Sequence, residues 1–148
     1  MSIPPVVKTL HVGLVPQAAF ELFTARIAEW WPTESHSVSS QDGKASRSLL
    51  MIPGVGGTLV EIAHDGTSHI WGEIKEWSPG QAFAMSWHPG RTDGVETHLS
   101  VTFEAKDGGT LLKLTHSNWE ALGASAAKTR DGYDGGWNGV LERLDQVA

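Results

Sequence analysis

From Arg47 to Ser117 the chain reads as six short strand-like runs, RSLLMI, TLVEIA, SHIWGEIKEW, AFAMSW, VETHLSVTFEA and TLLKLTHS, each cut off by a glycine- or proline-bearing turn. Spacers such as PGVGG, HDG, SPGQ and KDGG are too short to hold a crossover helix, so consecutive strands must pair antiparallel. The later runs alternate cleanly. Val95, Thr97, Leu99, Val101 and Phe103 share one face, with Glu96, His98, Ser100, Thr102 and Glu104 on the other. In the last run Leu112, Leu114 and His116 share a face, so burying the two leucines turns His116 inward.

The segments on either side complete the pattern. VVKTLHVGL alternates as a strand. In VPQAAFELFTARIAEWW, Pro16 stands at a first helical position, Ala19, Phe20, Phe23 and Ile27 follow at helical spacing, and Pro32 stops the run. This predicts a helix of about three turns. Residues 33–46 are polar and serine-rich and read as a loop or mobile rim. NWEALG is a short helical piece. In the final DGYDGGWNGVLERL, Tyr133, Trp137, Val140, Leu141 and Leu144 lie on one helical face, interleaved with Gly132, Gly135, Gly136 and Gly139. Each glycine costs about 1 kcal/mol against alanine in a helix interior, so either another backbone or a bound molecule is expected close to this helix.

The order is therefore strand, helix, six strands, helix. A long antiparallel sheet must bury one face, and here it does so by curling round the last helix. The fold class is α+β, with a curved sheet of about seven strands and short helices after the first strand, in one domain over residues 1–148.

Composition narrows the function. Seventeen acidic against 11 basic residues give a formal charge of −6 without a lysine or arginine cluster, which argues against nucleic acid and anionic membrane as partners. There is no cysteine, hence no disulfide, thiolate ligand or thiol nucleophile. No signal-peptide run or long apolar stretch is visible, so a cytoplasmic protein without membrane insertion is expected. The seven histidines show no HxxH, HxxxH or HExxH spacing, and GxSxG, GxxxxGK and GxGxxG are absent. No metal and no cofactor are expected.

The combination of PGVGGTLVE, WGEIKEWSPG, AFAMSW, GGTLLKLTHSNWEALG and YDGGWNGVLERL, in this order over nearly the whole chain, resembles the START-like helix-grip superfamily. Within it the chain is similar to the branch grouped with the activator of heat-shock-protein-90 ATPase. The resemblance implies a sheet gripping the C-terminal helix, with a cavity between them that in many relatives holds an apolar or aromatic molecule. Relatives include lipid carriers, hormone receptors and polyketide cyclases, so the fold alone does not select a chemistry.

The candidate ligand-binding residues are Trp71, Trp87, His116, Trp119, Tyr133, Gly136 and Trp137. Tryptophan and tyrosine provide rigid flat walls with polar edges, although the same residues also serve simply to fill a core. His116 and Tyr133 are the candidate acid–base pair, should both face the cavity. Glu61 and Glu73 are expected to point outward into solvent, since a buried carboxylate needs partners, and Arg130 to sit near the start of the last helix. The leading reading is binding of a small hydrophobic or aromatic molecule without turnover. The alternatives are a polyketide cyclase or dehydratase using His116 and Tyr133, and a stress-related protein-interaction domain.

Overall fold

The computed structural model describes residues 3–148. Seven antiparallel strands form one curled sheet in the order β1-β7-β6-β5-β4-β3-β2, with β1 Val6–Val12, β2 Ser48–Met51, β3 Thr58–Ile62, β4 Ser68–Ser78, β5 Ala82–Trp87, β6 Thr97–Lys106 and β7 Gly109–Ser117. Helix α1 spans Pro16–Phe23, and α2 spans Ala126–Val147 after a 3-10 stretch at Trp119–Ser125. The START-like helix-grip architecture expected from the sequence is what the chain adopts. The predicted faces hold as well: Leu99, Val101 and Phe103 of β6 and Leu112, Leu114 and His116 of β7 are buried, while their alternating neighbours are half-buried or exposed.

Because β1 and β2 lie at opposite edges of the sheet, the connection between them must cross its whole width. It does so over the face that α2 also covers. Phe20 of α1 packs edge-on against Trp77 and Phe103, with ring centroids 5.0 and 5.3 Å apart. Such aromatic pairs stabilise by about 0.5–1.5 kcal/mol beyond area burial. They pin α1 to one end of the sheet and leave residues 33–46 to pass over the other.

The first helix is shorter than its apolar spacing predicts. It ends at Phe23, and a separate 3-10 turn follows at Ile27–Glu29. The Thr24 hydroxyl donates to the Phe20 carbonyl at 2.7 Å, and the Trp30 indole N–H donates to the Leu22 carbonyl at 2.8 Å. The Trp30 side chain thus satisfies a carbonyl that a third turn of helix would have used. The resulting bend carries Trp31 away from the α1 axis.

The tryptophan-glycine pair in β4 has a steric cause. A Cβ on Gly72 would lie 1.8 Å from the Ser86 carbonyl oxygen of β5, so only glycine lets the strands approach here. The glycines of α2 are the opposite case. A Cβ on Gly132, Gly135 or Gly139 would meet nothing within 4 Å, and one on Gly136 would meet only the His36 ring at 3.7 Å. No backbone packs against them, which removes close helix–sheet packing as their explanation.

Candidate functional site

Four indoles converge beneath residues 33–46. Trp31 packs at 5.3, 5.9 and 5.7 Å from Trp71, Trp87 and Trp137, and Trp87 lies 5.7 Å from Trp71 and 5.5 Å from Trp137. The rings are tilted or edge-on to one another, forming a continuous aromatic floor. Above it is a cavity of about 460 Å³, within the ~300–1,000 Å³ range of small-molecule sites. Gly132 and Gly136 of α2 form one side and the loop from Ser35 to Gln41 the roof. The absent side chains at Gly132 and Gly136 are part of that space.

Each indole N–H of the floor donates to a protein acceptor: Trp31 to the His36 carbonyl at 2.7 Å, Trp71 to Glu61 at 3.0 Å, Trp87 to the Tyr133 hydroxyl at 3.3 Å and Trp137 to His116 Nδ1 at 3.0 Å. With the polar edges committed, the little of each ring that faces the cavity is hydrocarbon; the four are almost wholly buried, Trp31 being the most exposed at 7%. Each ring is also locked in rotation, so the surface is preorganised.

Glu61 anchors the roof. It is fully buried, contrary to the outward placement expected from its strand. Its carboxylate accepts from the backbone N–H groups of Val38 at 2.8 Å and Ser39 at 3.0 Å, from the Ser46 hydroxyl at 2.7 Å, and from Trp71. Burial alone would push its pKa up, but the hydrogen bonds from Ser46, Ser39 and Val38 outweigh it and the net shift is downward. A carboxylate satisfied by donors needs no cation beside it. At the other end of the loop, Arg143 of α2 pairs with Glu34 on the surface. Glu73 is exposed as expected and pairs with Lys75 at 2.7 Å. Arg130 donates to the Pro4 and Pro5 carbonyls, near the start of α2 and away from the cavity.

Of the residues singled out in the sequence, Trp71, Trp87, Tyr133, Gly136 and Trp137 line the cavity. His116 and Trp119 lie behind it, both fully buried. His116 Nδ1 accepts from Trp137, so its proton resides on Nε2, which meets Thr97 Oγ1 at 2.6 Å; the Thr97 hydroxyl in turn donates to the Trp87 carbonyl at 3.1 Å. Burial, and secondarily the charge of His98, push the His116 pKa down to about 3. A neutral imidazole with both nitrogens engaged holds Trp137 and Trp87 in place, and it does not reach the cavity as a proton carrier. The Trp119 indole N–H donates to the His116 carbonyl at 2.9 Å and its ring packs 4.1 Å from the imidazole. Burial pushes the Tyr133 hydroxyl above the ordinary phenol value, with the Trp87 N–H opposing.

Trp31 and His36 also line the site and escaped the sequence reading. Trp31 was absorbed into the helical periodicity of the first helix. A lone histidine in a serine-rich loop carries no spacing signal at all. Glu61 did carry one, as a single acid in an otherwise apolar strand.

Among curated proteins none matches this chain. Protein MLL2253 of Mesorhizobium loti superposes with a TM-score of 0.70 at 18% identity, over 96% of this chain and 94% of that one. The Aha1 dimer from Colwellia psychrerythraea gives 0.66 at 15% identity, over 97% and 94%. An anthrahydroquino-γ-pyrone synthase, Txn09, gives a TM-score of 0.60 at 32% identity, over 97% of this chain and 88% of that one. The model of the family described as activator of Hsp90 ATPase homolog 1-like protein matches residues 14–148. That match takes in strands β2–β7, the cavity and the gripping helix, and the chain belongs to the activator of Hsp90 ATPase homolog 1-like family of START-like proteins.

Proposed function

We propose that the cavity binds a planar, polycyclic aromatic small molecule against the four-tryptophan floor. The observation that carries this reading is the floor itself: four indoles whose N–H groups all donate to protein atoms, facing a space kept open by Gly132 and Gly136. A flexible acyl chain has no need of a rigid aromatic surface, whereas a flat ring system gains stacking area without losing conformational freedom. The test is titration of intrinsic tryptophan fluorescence with hydroxyanthraquinones, flavonoids and fatty acids. Saturable quenching by the flat ring systems and not by fatty acids is expected. Gly136→Leu fills the space beside His36 and should weaken binding at least about tenfold, the equivalent of about 1.4 kcal/mol, with an unchanged circular dichroism spectrum. Equal response to fatty acids, or none to any compound, overturns the reading.

A second reading is favoured by the 32% identity to a synthase named for an anthrahydroquino-γ-pyrone. In it the aromatic molecule is a substrate on which an oxygen heterocycle is closed. His116 packs behind Tyr133 and Trp137 and is not among the cavity-lining residues, so in this reading proton transfer belongs to groups on the cavity surface.

A further inference from the structure

We propose that the cavity accepts a flat aromatic guest only when it is uncharged, and that Glu61 is the residue that turns anionic ones away; this rests on the binding reading above. Among the described residues, none that lines the cavity is an aspartate, glutamate, lysine or arginine. The roof serines are spent within their own loop: the hydroxyls of Ser35, Ser37 and Ser40 donate to the carbonyls of Pro32, Thr33 and Ser37. What α2 adds is neutral too, the hydroxyls of Thr129 and Tyr133, one helical turn apart. Arg91, a cation close enough for its charge to act on the Tyr133 phenol, is exposed and paired with Asp93 at 2.9 Å. The site therefore offers hydrogen bonds to a hydroxyl or carbonyl oxygen and no counter-ion to a carboxylate.

A resident anion stands against the same wall. Glu61 lies directly behind Val38 and Trp71, both of which line the cavity and both of which donate to its carboxylate, at 2.8 and 3.0 Å. Successive backbone N–H groups such as those of Val38 and Ser39 make a ready anion site, and Glu61 already fills it. Its donors hold its pKa below the ordinary carboxylate value, so it is ionised at neutral pH. A carboxylate-bearing guest leaves water for a cavity without a counter-ion and faces a like charge across a single layer of side chains, in surroundings that screen it poorly. An uncharged guest of the same shape meets neither cost. One buried carboxylate thus serves twice, holding the roof in place and setting the charge of what enters beneath it.

The probes are 2-(hydroxymethyl)anthracene and anthracene-2-carboxylate, which share one ring system and differ in charge. Their Kd values are measured by equilibrium dialysis at pH 8, above the ordinary histidine range, since His36 also lines the cavity. Wild-type protein should bind the alcohol at least about 100-fold more tightly than the carboxylate. Glu61→Gln, its folding checked by circular dichroism, should shrink that ratio at least about tenfold. Gln41→Lys puts a cation at an exposed lining position, and it carries the test should Glu61→Gln not fold. It should strengthen carboxylate binding at least about tenfold while leaving the alcohol within about threefold of wild type. Wild-type Kd values for the two probes within about threefold of each other overturn the inference and leave the binding reading standing. A folded Glu61→Gln variant with the wild-type ratio, or a Gln41→Lys variant that gains nothing for the carboxylate, also overturns it. Binding of neither probe overturns both.

Discussion

His116 and Glu61 are both fully buried, and both resist protonation, for different reasons. His116 lies where a charge would be desolvated, and its pKa falls to about 3 from an ordinary value of 6.5. The unfolded chain therefore takes up a proton near pH 6.5 that the folded chain refuses until near pH 3. The stabilisation is complete above the upper value and is lost progressively on acidification through this window. Between pH 7 and pH 4 it amounts to about 3 kcal/mol. Urea unfolding across this range should show the slope, and His116→Gln should flatten it while lowering stability at pH 7. Glu61 also has a lowered pKa, so its contribution is present above the unfolded carboxyl value and is lost as pH falls through the folded one. Glu61→Gln replaces one acceptor oxygen with an N–H₂ that faces two existing donors. A loss of about 2–4 kcal/mol at pH 7 is expected by denaturant titration, with faster amide exchange at Val38 and Ser39. Burial of His116 was legible from the alternation of Leu112, Leu114 and His116. That of Glu61 was not, because its donors come from a loop whose course no periodicity reveals.

Among the elements, the strands were the most legible, since turn residues delimit them and alternation assigns their faces. The first helix was the least so. Its spacing continues through Ile27, but it ends at Phe23, with the Trp30 indole taking up the Leu22 carbonyl and Trp31 redirected into the site. The glycines of α2 were visible as an anomaly whose cause needed coordinates. Gly139 lies off the cavity and next to open space, so Gly139→Ala should stabilise the protein by about 1 kcal/mol, raising Tm by roughly 2–4 °C in a calorimetric scan. The same substitution at Gly72 places a methyl group 1.8 Å from a carbonyl oxygen and is expected to prevent the native β4–β5 pairing.

For the molecule as a whole, the helix-grip architecture was legible because it follows from strand order and one amphipathic helix. The cavity was legible only in part. Trp71, Trp87, Tyr133, Gly136 and Trp137 could be picked out by residue type, whereas Trp31 and His36 enter through the β1–β2 connection, which crosses the sheet because its ends lie at opposite edges. That connection is held by two unlike fastenings, a buried one at Glu61 and a solvent-exposed ion pair between Glu34 and Arg143. Exposed pairs contribute about 0–1 kcal/mol and weaken with salt, whereas a desolvated carboxylate is far less screened. The roof is thus fastened firmly at Glu61 and only weakly at Glu34. Raising ionic strength should speed both entry and escape of an aromatic guest in stopped-flow quenching, leaving its equilibrium affinity nearly constant; unchanged rates would place the doorway elsewhere.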